Sequence, residues 1–586
     1  MSNLKKSPLL IVLLIGSVSL ALLIAQGLSF GPLHTDVEVS LVWIDAYGFQ
    51  GFMDHYLDFN QRHLLAAPRN ALGYTLFGHN MLPYHLILQG SRVLEGAFLA
   101  GVVFQLTRRK WLAVAAGLAL TFTPIRVAES FQSIGWGIET TLVMLLASTY
   151  TYILSLKAEK RGTARWLYWL SFALYAISIL NYESGIPWIG VNIVAGWFVL
   201  DTVPWQERVR RLILHAIPFL LLGAALAYLV VVVFSPWDRL APTQFGSYPL
   251  RILNWIGASL AFPALLAQTL EIIVHDGYVA WLVVGSVVGG ALLWFIGRWM
   301  PPEDESEDRF GRDVLRLIVL ALVMIACAVL VGASNPTTRY SYQDRITFSR
   351  AAGVMLLYVM LLAGAVYLLR RFTANRARLW EGVALVLIGV VVVGPGFAIV
   401  QAYRSEGEAA YTEVEHVAEA VLDVRCLFYR PLHIVIVTDP DWVVSRTPDA
   451  HDVIIRQAQI LIDEAQGDVT IDILKTGNTG YEDDFIPAPG TCELDFASGL
   501  CLDADGIRSS RWASPQLVSN EDIVLLHYAN DGTMTLLREI DMQDLAGYNI
   551  GTSEPGVLTT LRTNESRLAL PFDEMPVPLT SSCPGN

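Results

Sequence analysis

The sequence predicts a polytopic α-helical membrane protein that ends in a soluble α/β domain. Of its 586 residues, 54% are hydrophobic and only 16% are charged, so the chain is more apolar than an ordinary soluble domain. Apolar runs of about 17 to 25 residues recur up to Val400, and such runs can cross a hydrocarbon core of about 30 Å. Beyond them, residues 403–586 carry 31 acidic and 11 basic residues. We therefore predict a membrane domain over residues 1–402 and a soluble domain over residues 403–586.

Basic residues near the ends of the apolar runs orient the membrane domain. The positive-inside rule places these clusters in the cytoplasm, and about eleven crossings satisfy all of them. The first run could be a signal peptide, but it is long and lacks a suitably placed small-residue cleavage site, which favours an uncleaved span. An odd number of crossings puts the C-terminal domain outside the cytoplasm of a plasma-membrane protein. The basic clusters lie at residues 5–6, 108–110, 157–165, 208–211 and 370–378. The predicted spans are residues 9–30, 83–106, 111–127, 136–156, 165–181, 185–200, 211–234, 278–298, 314–333, 351–369 and 380–402.

One apolar stretch, residues 250–275, does not fit this count. A single crossing there would invert every later basic cluster. We expect an interfacial or re-entrant helix, or one half of a pair of spans that the pattern does not resolve.

Cysteine usage agrees with an extracytoplasmic C-terminal domain. Cys327 lies inside a predicted span and is interpreted as a small apolar residue. The other four fall in the C-terminal domain, and an even number in an oxidising compartment predicts disulfides. Cys492 and Cys501 form the closest pair in sequence, which would leave Cys426 with Cys583. Four cysteines allow three pairings, so this connectivity is one of three.

The C-terminal domain shows alternating helix and strand patterns. An amphipathic segment, "YTEVEHVAEAVLDVR", precedes a strand in "LHIVIVTDP", a helix closed by Gly467, a strand in "VTIDIL" and a hairpin around "NDG". Asp439 and Asp441 follow the first strand, where open sheets bind ligands, although turn chemistry is the favoured explanation. "YEDDF" could chelate a divalent cation, but a solvated acidic loop is favoured. The strong negative charge argues against nucleic acid as a partner.

The predicted outer loops collect most of the ionisable residues of the membrane domain. Asp36 and Glu183 lie within a few residues of apolar spans, where an unpaired charge costs a few kcal/mol, so each is expected to have a partner or a function. The arginines of the last outer loop either pair with acidic loops or bind an anion, because a guanidinium matches phosphate oxygens. The candidate residues are Asp36, Glu38 and Arg69 in the first outer loop, Arg126 and Glu129 in "TPIRVAES", Glu183 in "NYESGIP", and Asp344, Arg345 and Arg350 in "QDRITFSR".

These residue types suit one chemistry in particular. A carboxylate can take the proton of an acceptor hydroxyl while an arginine stabilises a departing phosphate. A membrane site open to the outside with both groups fits a lipid-phosphate sugar donor, and the lipid tail explains why such an enzyme would be polytopic.

In their order and on their common side, the motifs resemble the GT-C glycosyltransferases, which are membrane enzymes that use polyprenyl-phosphate sugars. The similarity covers most of residues 30–370 and is nearest to the branch with tetratricopeptide-carrying O-mannosyltransferases. "LFGHNMLPYHLILQGSRVLEGAFLAGVVFQLTRR" resembles that branch's "LFG-N-yHL-N" entry to the second span, and "FTPIRVAESFQSIGW" its "HP-hvEavaWi". "NYESGIP" resembles "sKE-a-lP", and "DRITFSRAAG" resembles "ERYLYLPSvG". No 34-residue repeat is present in the C-terminal domain.

The chain departs from the family pattern at several positions. Val37 separates Asp36 from Glu38, where the family's paired acidic residues are often adjacent, and Tyr182 stands where the family often has lysine. Arg126 replaces a histidine, Glu129 is displaced by one position, and Arg350 replaces a proline.

The resemblance implies a GT-C-like fold and a set of roles. Asp36 would be the general base, with Glu38 as its neighbour or a metal ligand, so a divalent metal is the cofactor to consider. Glu183 would shape the site and Arg345 would contact the phosphate. The remaining candidates would bind substrate, namely Asp344, Arg350, Arg126, Glu129 and Arg69. The implied partners are the bilayer, a lipid-linked sugar donor and an acceptor that the sequence does not identify.

Two alternatives to the transferase stay open. The first is a transporter or flippase for a lipid-linked or anionic substrate, which would place ionisable residues near the middle of spans and show internal repeats. The apparent clustering of ionisable residues at one face and the lack of a repeat favour the enzyme. The second alternative is an inactive GT-C-like scaffold in envelope assembly.

Overall fold

The computed structural model describes most of the predicted spans and the core of the C-terminal domain. The chain divides into two compact units, here called the membrane unit (Met1–Ser29 with Gln50–Arg404) and the C-terminal unit (Phe30–Phe49 with Ser405–Asn586). The described residues are 7–25, 44, 49–50, 53, 65–78, 80–124, 135–229, 248–299, 307–332, 348–372, 377–429, 432–439, 458–459, 461–462, 469–474, 500–503, 506–509, 516–541, 544, 550–552 and 560–579.

The membrane unit is helical. Its helices are α1 (Pro8–Ala25), α2 (Ala66–Phe77), α3 (Met81–Thr107), α4 (Lys110–Thr121), α5 (Gly135–Lys157), α6 (Arg161–Asn181), α7 (Ile189–Val199), α8 (Trp205–Tyr228), α9 (Tyr248–Leu260), α10 (Phe262–His275), α11 (Val279–Trp299), α12 (Glu307–Gly332), α13 (Phe348–Phe372), α14 (Ala377–Ile388) and the first part of α15 (Gly394–Val424), whose residues from Ser405 onward belong to the C-terminal unit. A 3₁₀ helix, Glu183–Trp188, links α6 to α7, and a π-helical turn, Gly389–Val393, links α14 to α15.

The prediction of a polytopic helical membrane protein is confirmed. Within the described residues, six stretches are long and apolar enough to cross a bilayer, and a bent helix pair would make a seventh. Helices α1 and α4 are apolar but shorter, and the count of about eleven crossings stays a prediction. The six stretches are Leu82–Thr107, Trp205–Tyr228, Val279–Arg298, Arg309–Leu330, Arg350–Arg370 and Leu379–Ala402.

Two features of the chain differ from the predicted segments. Residues 66–77 form a helix, α2, inside the segment predicted to be the first outer loop. Helix α15 continues to Val424, past the predicted end of the last span at residue 402, while the two compact units divide between Arg404 and Ser405. The first half of α15 is apolar and the second half is amphipathic, so the two halves look like separate segments in the sequence. The helical hydrogen bonding nevertheless continues from one half to the other.

Helices α3 and α4 approach each other closely at a pair of glycines. A Cβ atom on Gly96 would overlap Thr121 Oγ1 and the carbonyl oxygen of Gly117. In the same way, a Cβ atom on Gly117 would lie 2.6 Å from the Gly96 carbonyl oxygen. The crossing therefore requires glycine on both helices, as small residues allow close helix packing in membranes.

A buried ion pair joins four segments at one end of the membrane unit. Arg109 Nε lies 3.1 Å from Asp313 Oδ2, and the two side chains are 3% and 2% exposed. The Arg109 guanidinium stacks on the Phe310 ring at 4.6 Å, and Arg370 stacks on the same ring at 5.0 Å. Arg370 also pairs with Glu381. The α3–α4 turn, the start of α12, the end of α13 and the start of α14 thus meet at what we call the arginine end.

Further contacts bring other basic clusters to the arginine end. Arg316 of α12 pairs with Asp201, in the turn before α8, at 2.5 Å. Lys157 at the end of α5 donates to the carbonyl oxygen of Gln105 near the end of α3. The clusters that include Arg109, Lys157 and Arg370 therefore share one end, as the positive-inside rule requires of cytoplasmic clusters.

Helix α9 begins at the opposite end of the unit and leads into the helical bundle, where α10 begins. The Tyr248 hydroxyl donates to the carbonyl oxygen of Leu330, which is close to the far end of α12. Deeper in the unit, the Tyr358 hydroxyl donates to the carbonyl oxygen of Leu260 at 2.8 Å, and the Phe262 and Tyr358 rings are 4.9 Å apart. The chain bends by 57° between the two helices.

The direction of α11 indicates that the bent α9–α10 pair begins and ends at the same end of the unit. Gly297, near the end of α11, packs against Leu385 of α14, and a Cβ atom there would lie 2.9 Å from Leu385 Cδ1. This contact lies near the arginine end, where α14 begins, so Val279 at the start of α11 lies at the other end. These contacts favour the re-entrant alternative for residues 250–275.

The C-terminal unit is an α/β fold, as predicted. One of its two described four-stranded sheets has the order β2-β1-β6-β7, in which β2, β1 and β6 are parallel and β7 is antiparallel. The predicted hairpin is β6 and β7, joined by a turn in which Gly532 has φ 81°. The other four-stranded sheet has the order β5-β4-β3-β9, and a two-stranded sheet pairs β10 with β8. The strands are β1 (Leu432–Thr438), β2 (Val469–Leu474), β3 (Leu500–Asp503), β4 (Gly506–Ser509), β5 (Gln516–Ser519), β6 (Ile523–Tyr528), β7 (Met534–Leu537), β8 (Glu539–Asp541), β9 (Ile550–Thr552) and β10 (Thr560–Arg562).

Apolar residues cover both faces of the β2-β1-β6-β7 sheet. On one face, Val417 and Val421 of α15 pack with Ile434 and Ile436 of β1. On the other face, Val435 and Val437 of β1 belong to a second core that includes Ile507 and Leu561. Burial on both faces explains why β1 is apolar along its length apart from His433 and its last residue, Thr438.

Cys426 is in a disulfide. The side chains of Cys492, Cys501 and Cys583 lie outside the described residues, so the predicted connectivity stays a prediction.

Replacing Gly96 with alanine should destabilise the membrane unit, because the added methyl group would meet the backbone of α4. Overpacking of this kind costs about 1–3 kcal/mol. Gly90→Ala is the matched control, since it lies on the same helix and a Cβ atom there meets nothing within 4 Å. Thermal unfolding of the purified protein in detergent should show a lower Tm for Gly96→Ala alone. Equal Tm values for the two variants would contradict the tight crossing.

Cysteine labelling tests the re-entrant hairpin and the orientation together. With a membrane-impermeant maleimide, His275→Cys and Asn80→Cys should be labelled in intact cells, whereas Gly162→Cys should be labelled only after permeabilisation. All three positions are exposed, and the unsubstituted protein gives the background. Labelling of His275→Cys only after permeabilisation would mean that the α9–α10 pair crosses the membrane.

Candidate functional site

Asn181 joins three helices at the end of the membrane unit opposite the arginine end. Its Oδ1 accepts a hydrogen bond from Arg69 Nη1 at 2.7 Å, and its Nδ2 donates to Thr141 Oγ1 at 2.7 Å. A backbone bond from Leu65 N–H to the Leu180 carbonyl oxygen, 3.1 Å, also ties the start of α2 to the end of α6. We call this the asparagine end. Helices α5 and α6 both span from it to the arginine end, because Lys157 closes α5 there.

A second asparagine also holds Arg69. Asn70 Oδ1 lies 3.2 Å from Arg69 Nε and 3.1 Å from Nη2, so one carboxamide oxygen accepts from two guanidinium nitrogens. Asn70 and Asn181 are 1% and 4% exposed, while Arg69 is half-buried. Helix α2 places the arginine at this end, although the sequence pattern alone assigned it to an irregular loop.

Glu183 begins the 3₁₀ helix that follows Asn181 and is half-buried. Side chains of neighbouring helices hold this short helix by contacts to its backbone carbonyl oxygens and to its tryptophan. The Tyr175 hydroxyl donates to the Ile186 carbonyl oxygen at 2.6 Å, and Cys327 Sγ lies 3.1 Å from the Pro187 carbonyl oxygen. The "NYESGIP" segment is therefore a 3₁₀ turn held from α6 and α12, and Cys327 is a hydrogen-bonding partner as well as a small residue.

Trp188 anchors the end of the same segment. Its Nε1 donates to Thr149 Oγ1 at 3.0 Å, and that hydroxyl lies 2.7 Å from Asn192 Oδ1. All three side chains are buried, so α5 fixes both the tryptophan and the first turn of α7.

Arg350 lies near the start of α13 and is buried. Its guanidinium stacks on the Trp255 ring of α9 at 5.0 Å. Since α13 reaches the arginine end at Arg370, Arg350 lies at the asparagine end, beneath the re-entrant hairpin.

The described residues bring two of the predicted site segments together. Arg69 of the first outer segment contacts Asn181, two residues before Glu183, and Arg350 lies at the same end on α13. The other predicted site residues of the membrane domain lie outside the described residues: Asp36, Glu38, Arg126, Glu129, Asp344 and Arg345. Among the side chains that are described, no three His, Cys, Asp or Glu residues are grouped so that they could hold a metal ion.

Charged residues also lie inside the bundle, where the sequence interpretation did not place them. Arg92 and Glu95 are buried near the middle of α3, and Glu139 is buried near the start of α5. Arg92 Nη2 donates to the Thr123 carbonyl oxygen at 2.9 Å. The expectation that ionisable residues cluster only at the outer face is therefore wrong. The sequence did contain a signal for these buried charges, because Arg92 and Glu95 lie three residues apart in a 27-residue apolar helix.

Arg92 also lines a cleft between α1, α3, the end of α4 and α15. The cleft has an empty volume of about 430 Å³, which includes its open mouth. Gln89 and Arg92 provide charge and hydrogen-bonding capacity, and the other walls are mainly apolar, including Leu20 and Phe397.

In the C-terminal unit, Asp439 has the role of a turn residue. Its Oδ1 lies 3.0 Å from His527 Nε2, and its Oδ2 accepts from the Asn530 N–H at 2.9 Å. These contacts tie the end of β1 to the β6–β7 turn. In the same turn, Thr533 donates to Asp531 from its hydroxyl and its amide, which lowers the pKa of that carboxyl. Asp441 lies outside the described residues.

A second histidine in this unit lies in the sheet. His433 Nε2 lies 2.7 Å from Asp472 Oδ2, and its Nδ1 lies 2.6 Å from Thr470 Oγ1. Because β1 and β2 are parallel, His433 is opposite Thr470 in register and beside Asp472 on the same face. The contacts satisfy both ring nitrogens, which explains how β1 tolerates a histidine.

Comparison with solved structures finds similar chains among membrane proteins. ArnT from Cupriavidus metallidurans bound to undecaprenyl phosphate has 11% identity and a TM-score of 0.35, over 79% of this chain and 93% of that one. The archaeal oligosaccharyltransferase AglB from Archaeoglobus fulgidus, in complex with an inhibitory peptide and a dolichol-phosphate, has 11% identity and a TM-score of 0.36, over 81% and 70%. ArnT in the apo state has 12% identity and a TM-score of 0.30, over 79% and 92%.

No protein-family model matches the chain, and no curated protein is significantly similar to it.

Replacing Thr149 with valine should destabilise the bundle at the "NYESGIP" segment. The change keeps the shape of the side chain but removes the hydroxyl, which leaves Trp188 Nε1 without this buried partner. An unsatisfied buried polar group costs about 1–3 kcal/mol. Thr163→Val, at an exposed position on α6, is the control. The prediction fails if thermal unfolding in detergent gives both variants the Tm of the unsubstituted protein.

Proposed function

We propose that this protein is a membrane glycosyltransferase that moves a sugar from a polyprenyl-phosphate donor to an acceptor outside the cytoplasm. One observation carries the proposal beyond the motif resemblance. The 2.7 Å hydrogen bond from Arg69 to Asn181 unites the first predicted outer segment with the motif that contains Glu183. A cation and a carboxylate from separate segments then lie at one end of the bundle, as a site for a phosphate-linked sugar requires.

The proposed reaction assigns Asp36 as the general base. The acceptor hydroxyl attacks the anomeric carbon of the sugar, the bond from that carbon to the phosphate oxygen breaks, and polyprenyl phosphate leaves with the bonding electrons. Asp36 takes the proton of the acceptor hydroxyl, with Glu38 beside it or on a divalent metal. Arg345 stabilises the negative charge on the departing phosphate.

The other candidates position the substrate. Glu183 shapes the site from the 3₁₀ turn and Arg69 lies beside it, while Arg350, Asp344, Arg126 and Glu129 contribute from the remaining outer segments.

The position of Arg350 supports a lipid-borne donor. Its guanidinium packs on Trp255 of α9, whereas Leu250 and Leu253 on the same helix are exposed apolar residues. A single helix, about 10 Å across, thus separates the arginine from apolar surface that faces lipid. A polyprenyl chain could lie against that surface while its phosphate reaches the asparagine end.

A transporter for a lipid-linked or anionic substrate is the second candidate. It gains support from Arg92 and Glu95, which are buried near the middle of α3, where transporters carry charged residues. The two functions differ in product, because only the transferase separates the sugar from its lipid.

Loss of the protein should cause one polyprenyl-phosphate sugar to accumulate in the envelope, as measured by mass spectrometry of extracted lipids. Expression of the unsubstituted protein or of Asp58→Asn, a control in the same outer segment, should restore the normal profile. Asp36→Asn, expressed at the same level, should leave the lipid elevated. Restoration by Asp36→Asn would reject its role as the base, and an unchanged profile after loss of the protein would favour the scaffold.

The accumulated lipid then separates transferase from transporter. Proteoliposomes that contain the purified protein and this lipid should release sugar-free polyprenyl phosphate when envelope acceptor is supplied. Movement of intact donor to the other leaflet without cleavage would establish the transporter instead.

A further inference from the structure

We infer that the arginine end carries a binding site for an anionic phospholipid, on the surface where α6 and α8 lie side by side. The site, here called the α6–α8 seam, consists of residues 161–169 of α6 and residues 205–215 of α8. It lies at the opposite end of the membrane unit from the proposed substrate site, so the inference does not depend on the proposed function.

Aromatic contacts fix the register of the two helices. The Tyr168 hydroxyl donates to the carbonyl oxygen of His215 at 3.0 Å, and the two rings are 5.2 Å apart. One helical turn deeper, the Phe172 and Phe219 rings are 5.3 Å apart. Both helices begin at the arginine end. Residues at equal distances from these contacts therefore lie at the same depth in the membrane.

Two exposed arginines of the seam lie at one level. Arg165 is three residues before Tyr168 on α6, and Arg211 is four residues before His215 on α8. Each arginine is therefore about one turn closer to the arginine end than the aromatic contact, on the same helix face as its aromatic neighbour. The seam as a whole contains five arginines and one glutamate, which gives it a net positive charge.

The glutamate of the seam does not neutralise this charge. A Glu207 carboxylate oxygen lies 2.7 Å from Arg211 Nε, and the other lies 3.8 Å from Arg210 Nη1. One carboxylate thus serves two guanidinium groups, whose side chains are 51% and 74% exposed. Arg208 instead stacks on the Trp197 ring of α7 at 4.7 Å and holds α8 against that helix. Arg208 is structural, whereas the exposed arginines can meet an anion.

Exposed tryptophans and aliphatic side chains lie next to these arginines. On α6, Trp166 and Trp169 are both more than half exposed, and Ile177 continues the exposed face toward the membrane interior. On α8, Leu214 and Leu221 form the corresponding exposed apolar face. Tryptophan is enriched at the membrane–water interface, where its ring lies at the level of the lipid head groups. With increasing depth, the seam therefore presents positive charge, then tryptophan, then apolar side chains.

This order matches the parts of an anionic phospholipid. Its phosphate would lie between Arg165 and Arg211, its ester groups against Trp169, and its acyl chains along the exposed apolar faces of α6 and α8. A soluble anion would use the arginines alone and would gain nothing from the apolar faces. A zwitterionic phospholipid would use the apolar faces, but the arginines would repel its cationic group.

Native mass spectrometry of the purified full-length protein tests the site with phosphatidylglycerol and phosphatidylcholine that have the same acyl chains. The unsubstituted protein should bind phosphatidylglycerol about tenfold more tightly. Arg165→Gln should lower this preference to about twofold, because one basic residue near an anionic head group changes the affinity about fivefold. Arg165→Gln combined with Arg211→Gln should remove the preference, whereas Arg165→Lys should keep it.

Arg298→Gln is the matched control, because it removes the same charge from an exposed position near the arginine end of α11. It should keep the full preference. Every variant should bind phosphatidylcholine as tightly as the unsubstituted protein does, which a misfolded variant would not do. Glycerol phosphate has the charge but no acyl chains, so it should not displace the bound lipid.

Three results would overturn the site. These are an equal loss of preference in Arg165→Gln and Arg298→Gln, a full preference in the double variant, and no preference in the unsubstituted protein. Displacement of the lipid by glycerol phosphate would instead show that the seam binds a soluble anion, and would reject a phospholipid as its ligand.

Discussion

The arrangement of the membrane unit depends on the need to neutralise Arg109 inside a low-dielectric bundle. Its ion pair with Asp313 is almost completely desolvated, and loss of one partner from such a pair costs about 3–5 kcal/mol. The guanidinium groups of Arg109 and Arg370 both stack on the Phe310 ring. These three side chains therefore fix the positions of α4, α12, α13 and α14 along the helix axes. Once that end is fixed, the lengths of the helices determine which residues meet at the other end.

The described partners of the arginines differ between the two ends. At the arginine end, carboxylates neutralise Arg109 and Arg370 and hold the ends of the helices together. At the asparagine end, uncharged oxygens orient Arg69 while Thr141 and the backbone of α6 support them. In the proposed function, the arginine end holds the helices together and the asparagine end lies on the side of the substrate.

Much of the fold could be predicted because it follows from local pattern. Apolar runs marked most of the long helices, and β1, β2 and the β6–β7 hairpin were visible from apolar runs and turn residues. Helix α2 was not, and for residues 250–275 the sequence left a re-entrant helix as one of several alternatives, since these positions depend on distant partners such as Leu180, Leu330 and Tyr358. Charge marked Arg69, Glu183 and Arg350 as candidates, but nothing in the composition around Asn181 distinguishes it from other polar residues at a helix end. Its importance arises only from contacts across more than a hundred residues.

The re-entrant hairpin also constrains how the protein can be assembled. Its described hydrogen-bond partners, the backbone at Leu330 and the side chain of Tyr358, are both synthesised after the hairpin itself. An apolar pair that emerges from the ribosome before its binding site exists must wait in the membrane, or at its surface, until α12 and α13 have been inserted. The hairpin that covers Arg350 would then be among the last parts of the membrane unit to dock, and the polar end of the bundle would stay open to lipid during biogenesis.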